Sequence, residues 1–215
     1  MNGSLFYPCC GKADLVIALR AFGSIVSVVH GADPISGVTD GLHRDWELEH
    51  IDSALHVFDL EGVAQHDCSI RQVERENLPR GNGLRHSYLL RSRRDHTLSR
   101  PFTWHQYDAV EALQQIEGIA VFFFRRDRPT DGEGSSGIRW LDDTLLRRVL
   151  AKLQPDGCFV TDGAGMSGDG SQKLLWEAPF QEQPLGLSFS AFGRCFTCVG
   201  VFCHTHPKTL VWRVQ

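Results

Sequence analysis

The stretch from Leu5 to Phe22, LFYPCCGKADLVIALRAF, constrains the fold of this chain more than any other part of the sequence. The apolar run from Leu5 to Tyr7 predicts a short strand, which Pro8 ends because proline has no N–H to give to a sheet. Gly11 then allows a tight turn, and from Asp14 onward the spacing of apolar side chains predicts a helix that is largely buried. A strand, a turn and a helix in this order are typical of the first half of a βαβ unit.

Later apolar segments extend this pattern. Ser24 to His30, SIVSVVH, predicts a second strand that is covered on both faces, as in a parallel sheet. Trp104 to Ile116 has helical spacing, and Ile119 to Phe124, IAVFFF, is the most hydrophobic predicted strand. Three further elements are predicted: a helix at Leu141 to Leu153, a strand at Cys158 to Thr161, and a short helix around Leu174 to Ala178.

Two features complete the predicted fold. The strand-like runs Phe189 to Cys203 and Thr209 to Val214 are joined by a short connection, which requires them to be antiparallel. Between Pro34 and Pro101, short alternating segments separated by glycine and charge clusters predict hairpins. We therefore predict an α/β, Rossmann-like domain with a mostly parallel sheet, helices on both faces, a final antiparallel hairpin and an irregular β-rich insertion at residues 34–101. Residues 1–215 are predicted to form this single domain.

Composition limits the function classes. The chain has 215 residues, 42% hydrophobic and 22% charged, which is ordinary for a globular protein. A net charge of −4 argues against a surface built wholly for nucleic acid. The N-terminal sequence lacks the pattern of a secretory signal, and no stretch approaches the roughly 20 apolar residues of a membrane helix. We expect a cytoplasmic protein without a membrane contact, whose 7 cysteines are reduced rather than paired.

The order of these elements, with the PCCG turn after the first strand, resembles the class I S-adenosylmethionine-dependent methyltransferases. The resemblance covers Leu5 to Asp33 and Ile119 to Val214. It implies that the chain binds S-adenosylmethionine, or a related nucleotide, at the carboxyl edge of its sheet. The methyl acceptor and the oligomeric state are not indicated.

The resemblance also implies roles for particular residues. Asp33 would bind the ribose hydroxyls, and Asp127, within Arg125 to Pro129, is the nearest match to the catalytic position of amino-group methyltransferases. Asp162 would converge with them on the same crevice. The loop that contacts the methionine part of the cofactor would consist of Tyr7, Pro8, Cys9, Cys10 and Gly11.

Other functions stay open. The chain could be a non-catalytic binding or scaffolding module that has lost the cofactor. It could instead modify nucleic acid, with a basic cluster that would bind phosphates. That cluster consists of Arg85, Arg91, Arg93, Arg94 and Arg100.

Three smaller motifs have both a structural and a functional interpretation. Cys9 and Cys10 precede a helix, whose dipole can activate a thiol, but small buried residues also suit such a turn. The glycine-rich DGEGSSG of Asp131 to Gly137 could hold a phosphate or be a simple loop. A zinc site is suggested by Cys195, Cys198, Cys203, His204 and His206. A strand at Cys195 to Cys198 would argue against it, because residues three apart on a strand face opposite ways.

Overall fold

The structure is a computed structural model, which describes residues 3–8, 10, 14–33, 42–57, 82–125, 143–163, 173–203 and 208–215. The chain divides into two compact units. Unit 1 comprises residues 1–117 with 136–138, and unit 2 comprises residues 118–135 with 139–215. Among the described residues, no helix is both long and apolar enough to cross a membrane.

The described residues of unit 1 form five strands and two α-helices. They follow one another as β1 (Ser4–Pro8), α1 (Asp14–Phe22), β2 (Val28–Ala32), β3 (Trp46–Val57), β4 (Asn82–Ser92), β5 (Ser99–Gln106) and α2 (Ala109–Gln115). The strand order is β3-β4-β5-β2-β1. β2 is parallel to both β1 and β5, whereas β4 is antiparallel to both β3 and β5. The parallel strands β1, β2 and β5 therefore end at a common edge, which we call the carboxyl edge of unit 1.

Local chemistry explains the bounds of these elements. Pro8 is the last residue of β1, as the missing proline N–H requires. The helix α1 ends at Phe22, and the Gly23 N–H donates to the Leu19 carbonyl at 2.8 Å. The helix α2 begins after Asp108, whose carboxylate accepts hydrogen bonds from the N–H groups of Val110 and Glu111.

The part of unit 2 that the structure describes also has five strands and two α-helices. These are β6 (Ile119–Phe124), α3 (Asp143–Lys152), β7 (Leu153–Thr161), α4 (Lys173–Glu177), β8 (Ser188–Ala191), β9 (Arg194–Cys203) and β10 (Thr209–Val214), and a 3-10 turn at Ala178–Phe180 follows α4. The strand order is β6-β7-β10-β9-β8. Only β6 and β7 are parallel; β10 is antiparallel to β7 and β9, and β8 to β9. The predicted final hairpin is present as β9 and β10.

The predicted fold class is wrong. The described chain is β-rich, with ten strands and four α-helices, and it is not a Rossmann-like α/β domain with helices on both faces. Of the eight strand pairings within the two units, five are antiparallel, so the sheet is not mostly parallel. The four helices have 9, 7, 10 and 5 residues, too little to cover ten strands on both faces.

Two segments account for most of this difference. Residues 34–101 contain the two longest strands, β3 and β4, of 12 and 11 residues, where short strands are predicted. Trp104 to Gln106, assigned to a helix from the sequence, instead continues β5. In unit 2, the single strand predicted at Phe189 to Cys203 is two strands, because Phe192 and Gly193 both have positive φ and form a turn.

Candidate functional site at the carboxyl edge of unit 1

The ends of β1 and β2 lie side by side. Tyr7 is opposite Gly31 and Pro8 is opposite Ala32 in the parallel register. Just beyond the strand, the Cys10 N–H donates to the Ala32 carbonyl at 3.3 Å. The turn after β1 is thus held against the end of β2. Cys9 and Gly11 lie outside the described residues.

Gly31 provides the space for this contact. A Cβ atom at position 31 would lie 3.0 Å from the Cys10 sulfur and 3.3 Å from the Phe102 ring. Cys10 and Tyr7 are completely buried. The Cys10 thiol therefore packs against the Gly31 backbone and fills the space that a side chain at position 31 would occupy.

Asp33 directly follows the last residue of β2, because this strand runs to Ala32 rather than ending at His30 as predicted. Its backbone is held on both sides. The Asp33 N–H donates to the His105 carbonyl at 3.1 Å, and the Trp104 indole N–H donates to the Asp33 carbonyl at 3.2 Å. Asp33 is 5% exposed. A carboxylate thus stands at the end of a central parallel strand with its backbone fixed.

Two histidines and a tyrosine form a buried polar chain beside this edge. His30 Nδ1 is 3.2 Å from His105 Nε2, and His105 Nδ1 is 2.6 Å from the Tyr107 hydroxyl. Burial lowers the pKa of His30 to about 4 and that of His105 to about 3. Burial also raises the pKa of Tyr107 to about 12. All three side chains are therefore uncharged at neutral pH.

The chain continues to the helix α2. The Tyr107 hydroxyl donates to Gln115 Oε1 at 3.5 Å, and the Gln115 amide also contacts His56 Nε2. His56 Nε2 lies 3.3 Å from Glu111 Oε1. The Gln115 amide nitrogen also donates to Glu111 Oε1 at 3.4 Å, and a carboxylate oxygen accepts, so the amide nitrogen faces His56 and the amide oxygen faces Tyr107. The Tyr107 hydroxyl consequently accepts from His105 Nδ1, and His105 Nε2 accepts from His30 Nδ1.

Gly83 makes room for this arrangement. His56 is opposite Gly83 in the antiparallel register, and the His56 ring stacks on Tyr107 with centroids 4.7 Å apart. A Cβ atom at position 83 would lie 2.4 Å from the Tyr107 Cβ, closer than side chains can approach. Because Gly83 has no side chain, Tyr107 can pack directly against the backbone at this position.

Two other predicted site residues, Asp162 and Asp127, are not among the described residues of unit 1. Asp162 belongs to unit 2, where it follows β7 and is 5% exposed. The next residue, Gly163, has φ of 77° and its N–H donates to the Thr161 hydroxyl at 3.0 Å. Asp127 lies outside the described residues, as does the Asp131 to Gly137 loop. Unit 1 brings together Tyr7, Pro8, Cys10 and Asp33.

Four of the five arginines in the basic cluster already have partners. Arg91 on β4 pairs with Glu49 on β3 at 2.8 Å, and Arg93, which directly follows β4, pairs with Glu47 on β3 at 3.1 Å. Two more are engaged: Arg94 pairs with Asp45, and Arg100 donates to the carbonyls of Gly23, Ser24 and Ser99. This pairing weakens the case for a phosphate-binding surface.

The proposed zinc ligands are divided between strand faces. Cys195 and Cys198 both lie on β9, where Cys195 is opposite Ser190 and Cys198 is opposite Trp212. Three residues apart on a strand, their side chains point to opposite faces. Among the described residues no group of three or more His, Cys, Asp or Glu could hold a metal ion. The Cys203 side chain, His204 and His206 lie outside the described residues.

Sequence reasoning missed His30, His105 and Tyr107. The signal was present: His105 and Tyr107 are two residues apart in TWHQY, so they share a face of a strand. The helix predicted for Trp104 to Ile116 hides this signal, because residues two apart in a helix do not share a face.

Comparison with known proteins does not assign the site. No protein-family model matches the chain, and no curated protein matches it.

Proposed function

We propose that this chain is a methyltransferase-like protein that binds S-adenosylmethionine, or a closely related nucleotide, at the carboxyl edge of unit 1. Asp33 accepts hydrogen bonds from the ribose hydroxyls, and the turn from Tyr7 to Gly11 lies against the amino-acid part of the ligand. The methyl acceptor is left open.

The position of Asp33 carries this proposal. A ribose presents two adjacent hydroxyls, which a single carboxylate can accept together if its position is fixed. Asp33 directly follows β2, and bonds to His105 and Trp104 hold its N–H and carbonyl. A residue whose backbone is already fixed loses less conformational freedom when a ligand binds, which favours affinity.

A second candidate function is a non-catalytic binding or scaffolding module without cofactor. The packing of Cys10 favours it. The thiol is completely buried over Gly31, and the Cys10 N–H is engaged with Ala32, so this part of the turn already contacts protein.

Isothermal titration calorimetry and thermal unfolding with S-adenosylmethionine and S-adenosylhomocysteine test the proposal. We expect saturable heat and a rise in the unfolding temperature, because a ligand that binds only the folded state stabilises it. No heat and no shift at millimolar ligand would support the scaffolding module instead.

Two variants locate the site. Asp33→Asn removes the charge but keeps the size, and should weaken binding by about 10-fold or more, as expected for a lost hydrogen bond to a charged group. Asp52→Asn removes an exposed carboxylate from β3 of the same unit and should leave the affinity unchanged. Equal affinity in the Asp33→Asn protein would show that the ligand binds elsewhere.

This function suits a cytoplasmic protein. The described cysteines Cys10, Cys158, Cys195 and Cys198 are all free thiols. Reduced cysteines persist in the cytoplasm, where S-adenosylmethionine is also consumed by methyltransferases. The proposal therefore includes a cytoplasmic location, a small-molecule ligand and no membrane partner.

A further inference from the structure

A bulge in β3 brings together three polar side chains that a regular strand would separate. His50 is opposite Tyr88 and Ser53 is opposite His86, although the alternation of a regular strand would place residues 50 and 53 on opposite faces. The register shifts between His50 and Asp52, so that Ile51 is an extra residue in the strand. Bulges of this kind re-aim side chains and are common beside active sites.

Ser53 lies between two imidazoles. Its hydroxyl oxygen is 2.8 Å from His50 Nε2 and 2.8 Å from His86 Nδ1. On the far side of the ring, His86 Nε2 is 3.1 Å from Gln106 Oε1. His86 also stacks on Trp104, with centroids 4.8 Å apart, which holds the imidazole in place.

The amide oxygen of Gln106 sets the direction of these bonds. An amide oxygen only accepts, so His86 Nε2 carries the proton and His86 Nδ1 has a lone pair. The Ser53 hydroxyl consequently donates to His86 Nδ1 and can accept from His50 Nε2. A hydroxyl that donates to an imidazole, which is in turn oriented by a third group, is the arrangement that activates serine nucleophiles.

An apolar surface adjoins this cluster. Leu55 and Leu84 are opposite each other on the same two strands, two residues from Ser53 and His86 respectively. Leu55 is 64% exposed and Leu84 is 41% exposed. An apolar group attached to a carbonyl could rest on this pair while its carbonyl carbon is near the Ser53 oxygen.

We propose that Ser53 is a nucleophile for esters with small apolar acyl groups, with His86 as its base and Gln106 as the residue that positions His86. Trp104 packs on His86 and also holds the Asp33 carbonyl, but the reacting groups of Ser53 and His86 are not part of the proposed nucleotide site, and their chemistry does not require the nucleotide. The Ser53 oxygen bonds to the ester carbonyl while its proton passes to His86 Nδ1. The alcohol then leaves with that proton, and water, deprotonated by His86, releases the acid and restores the Ser53 hydroxyl.

An alkyl fluorophosphonate reports this reactivity, because the serine oxygen bonds to phosphorus as fluoride leaves. The full chain is treated with the reagent, and the adduct is quantified by intact mass and located by peptide mapping. We expect one adduct on Ser53, none in Ser53→Ala, and labelling slowed by about 100-fold in His86→Ala, the low end of what a general base contributes. Ser87→Ala, which removes a half-buried hydroxyl from the opposite face of β4, should label like the unchanged chain.

Further readouts keep the proposal testable if the His86 variant does not fold. Labelling of the unchanged chain should disappear in urea, because the cluster exists only in the folded sheet. Butyrate esters of p-nitrophenol should react about 4-fold faster than acetate esters, since Leu55 and Leu84 partly bury the longer chain. Gln106→Leu should lower the rate of ester hydrolysis and change its pH profile without loss of thermal stability.

Three results would overturn the proposal: absence of a Ser53 adduct, equal labelling in urea, or an unchanged labelling rate in a folded His86→Ala protein.

Discussion

Unit 1 buries more polar side chains than unit 2, and both units bury aromatic rings. Seven of the ten buried polar or charged residues in the described chain belong to unit 1: Ser4, Asp33, Asp45, Ser92, His105, Asp108 and Glu111. The other three, Thr161, Asp162 and Thr209, belong to unit 2, where a series of aromatic rings also crosses the strands. Phe122 stacks on Phe159 at 5.1 Å, Phe159 meets Phe196 edge-on at 6.3 Å, and Phe189 packs against both Phe196 and Trp212.

The two interiors differ in what they contribute. Burial of aromatic rings is among the largest favourable contributions to stability, and edge-to-face pairs add to it. Burial of an imidazole or carboxylate costs free energy unless hydrogen bonds compensate for the lost water. The larger number of buried polar side chains in unit 1 is the reason to expect a binding function there.

The largest effect should come from the aromatic series. Phe159 is completely buried, so Phe159→Ala should lower the free energy of unfolding by about 3–5 kcal/mol. Urea denaturation measures the change. Phe180→Ala, at a ring that is 55% exposed, should cost less than about 1 kcal/mol. If the two variants were equally stable, unit 2 would not owe its stability to its buried rings.

An intermediate effect is expected at Gly83. A Cβ there would meet the Tyr107 Cβ rather than the end of a flexible chain, so Gly83→Ala should destabilise the protein by about 1–3 kcal/mol and displace the Tyr107 ring. Thermal and urea unfolding measure the loss. The control is Gly200→Ala in β9, where the nearest atom would be the Val211 Cβ at an ordinary 3.5 Å. Equal stability of the two variants would contradict the packing of Tyr107 over Gly83.

A third effect is a pH dependence that arises from His30 and His105 of unit 1. Burial lowers the pKa of His30 to about 4 and that of His105 to about 3. Below about pH 6.5 the unfolded chain binds protons at these histidines and the folded chain does not. Stability should thus be highest above pH 6.5 and fall as the pH is lowered toward 4, by about 1.4 kcal/mol per pH unit for each histidine.

Variants assign this slope to the two residues. Unfolding free energies of His30→Gln and His105→Gln, measured in urea between pH 4.5 and 6.5, should each show a slope lower by about 1.4 kcal/mol per pH unit. Phe180→Ala should leave the slope as it is. A slope that neither histidine variant changes would mean that these imidazoles are not buried in the neutral form.

The elements that could be predicted are those with strong local signals. The helix α1, the strands β6 and β10 and the end of β1 at Pro8 follow the sequence closely. Their apolar spacing, and the chemistry of proline and glycine, act over a few residues. Asp33 was also assigned to the end of a strand, although β2 begins and ends later than SIVSVVH indicates.

The rest depends on partners distant in sequence. The pairing of β3 with β4 spans residues 46–92. The bulge at Ile51 cannot be recognised from the alternation of apolar and polar residues along β3 alone. The His30–His105 contact joins residues 75 apart. Periodicity cannot report such pairings, because a strand's register is set by its neighbours as well as by its own sequence.

Hydrogen–deuterium exchange with and without millimolar S-adenosylhomocysteine tests both the difference between the two units and the proposed function. A ligand held at the carboxyl edge of unit 1 should slow exchange at the Cys10 and Asp33 amides and in the last residues of β5, and leave β8 to β10 unchanged. The Asp33→Asn protein should show less protection at the same ligand concentration. No protection in unit 1, or protection confined to β8 to β10, would contradict the assignment of the binding function to the polar interior of unit 1.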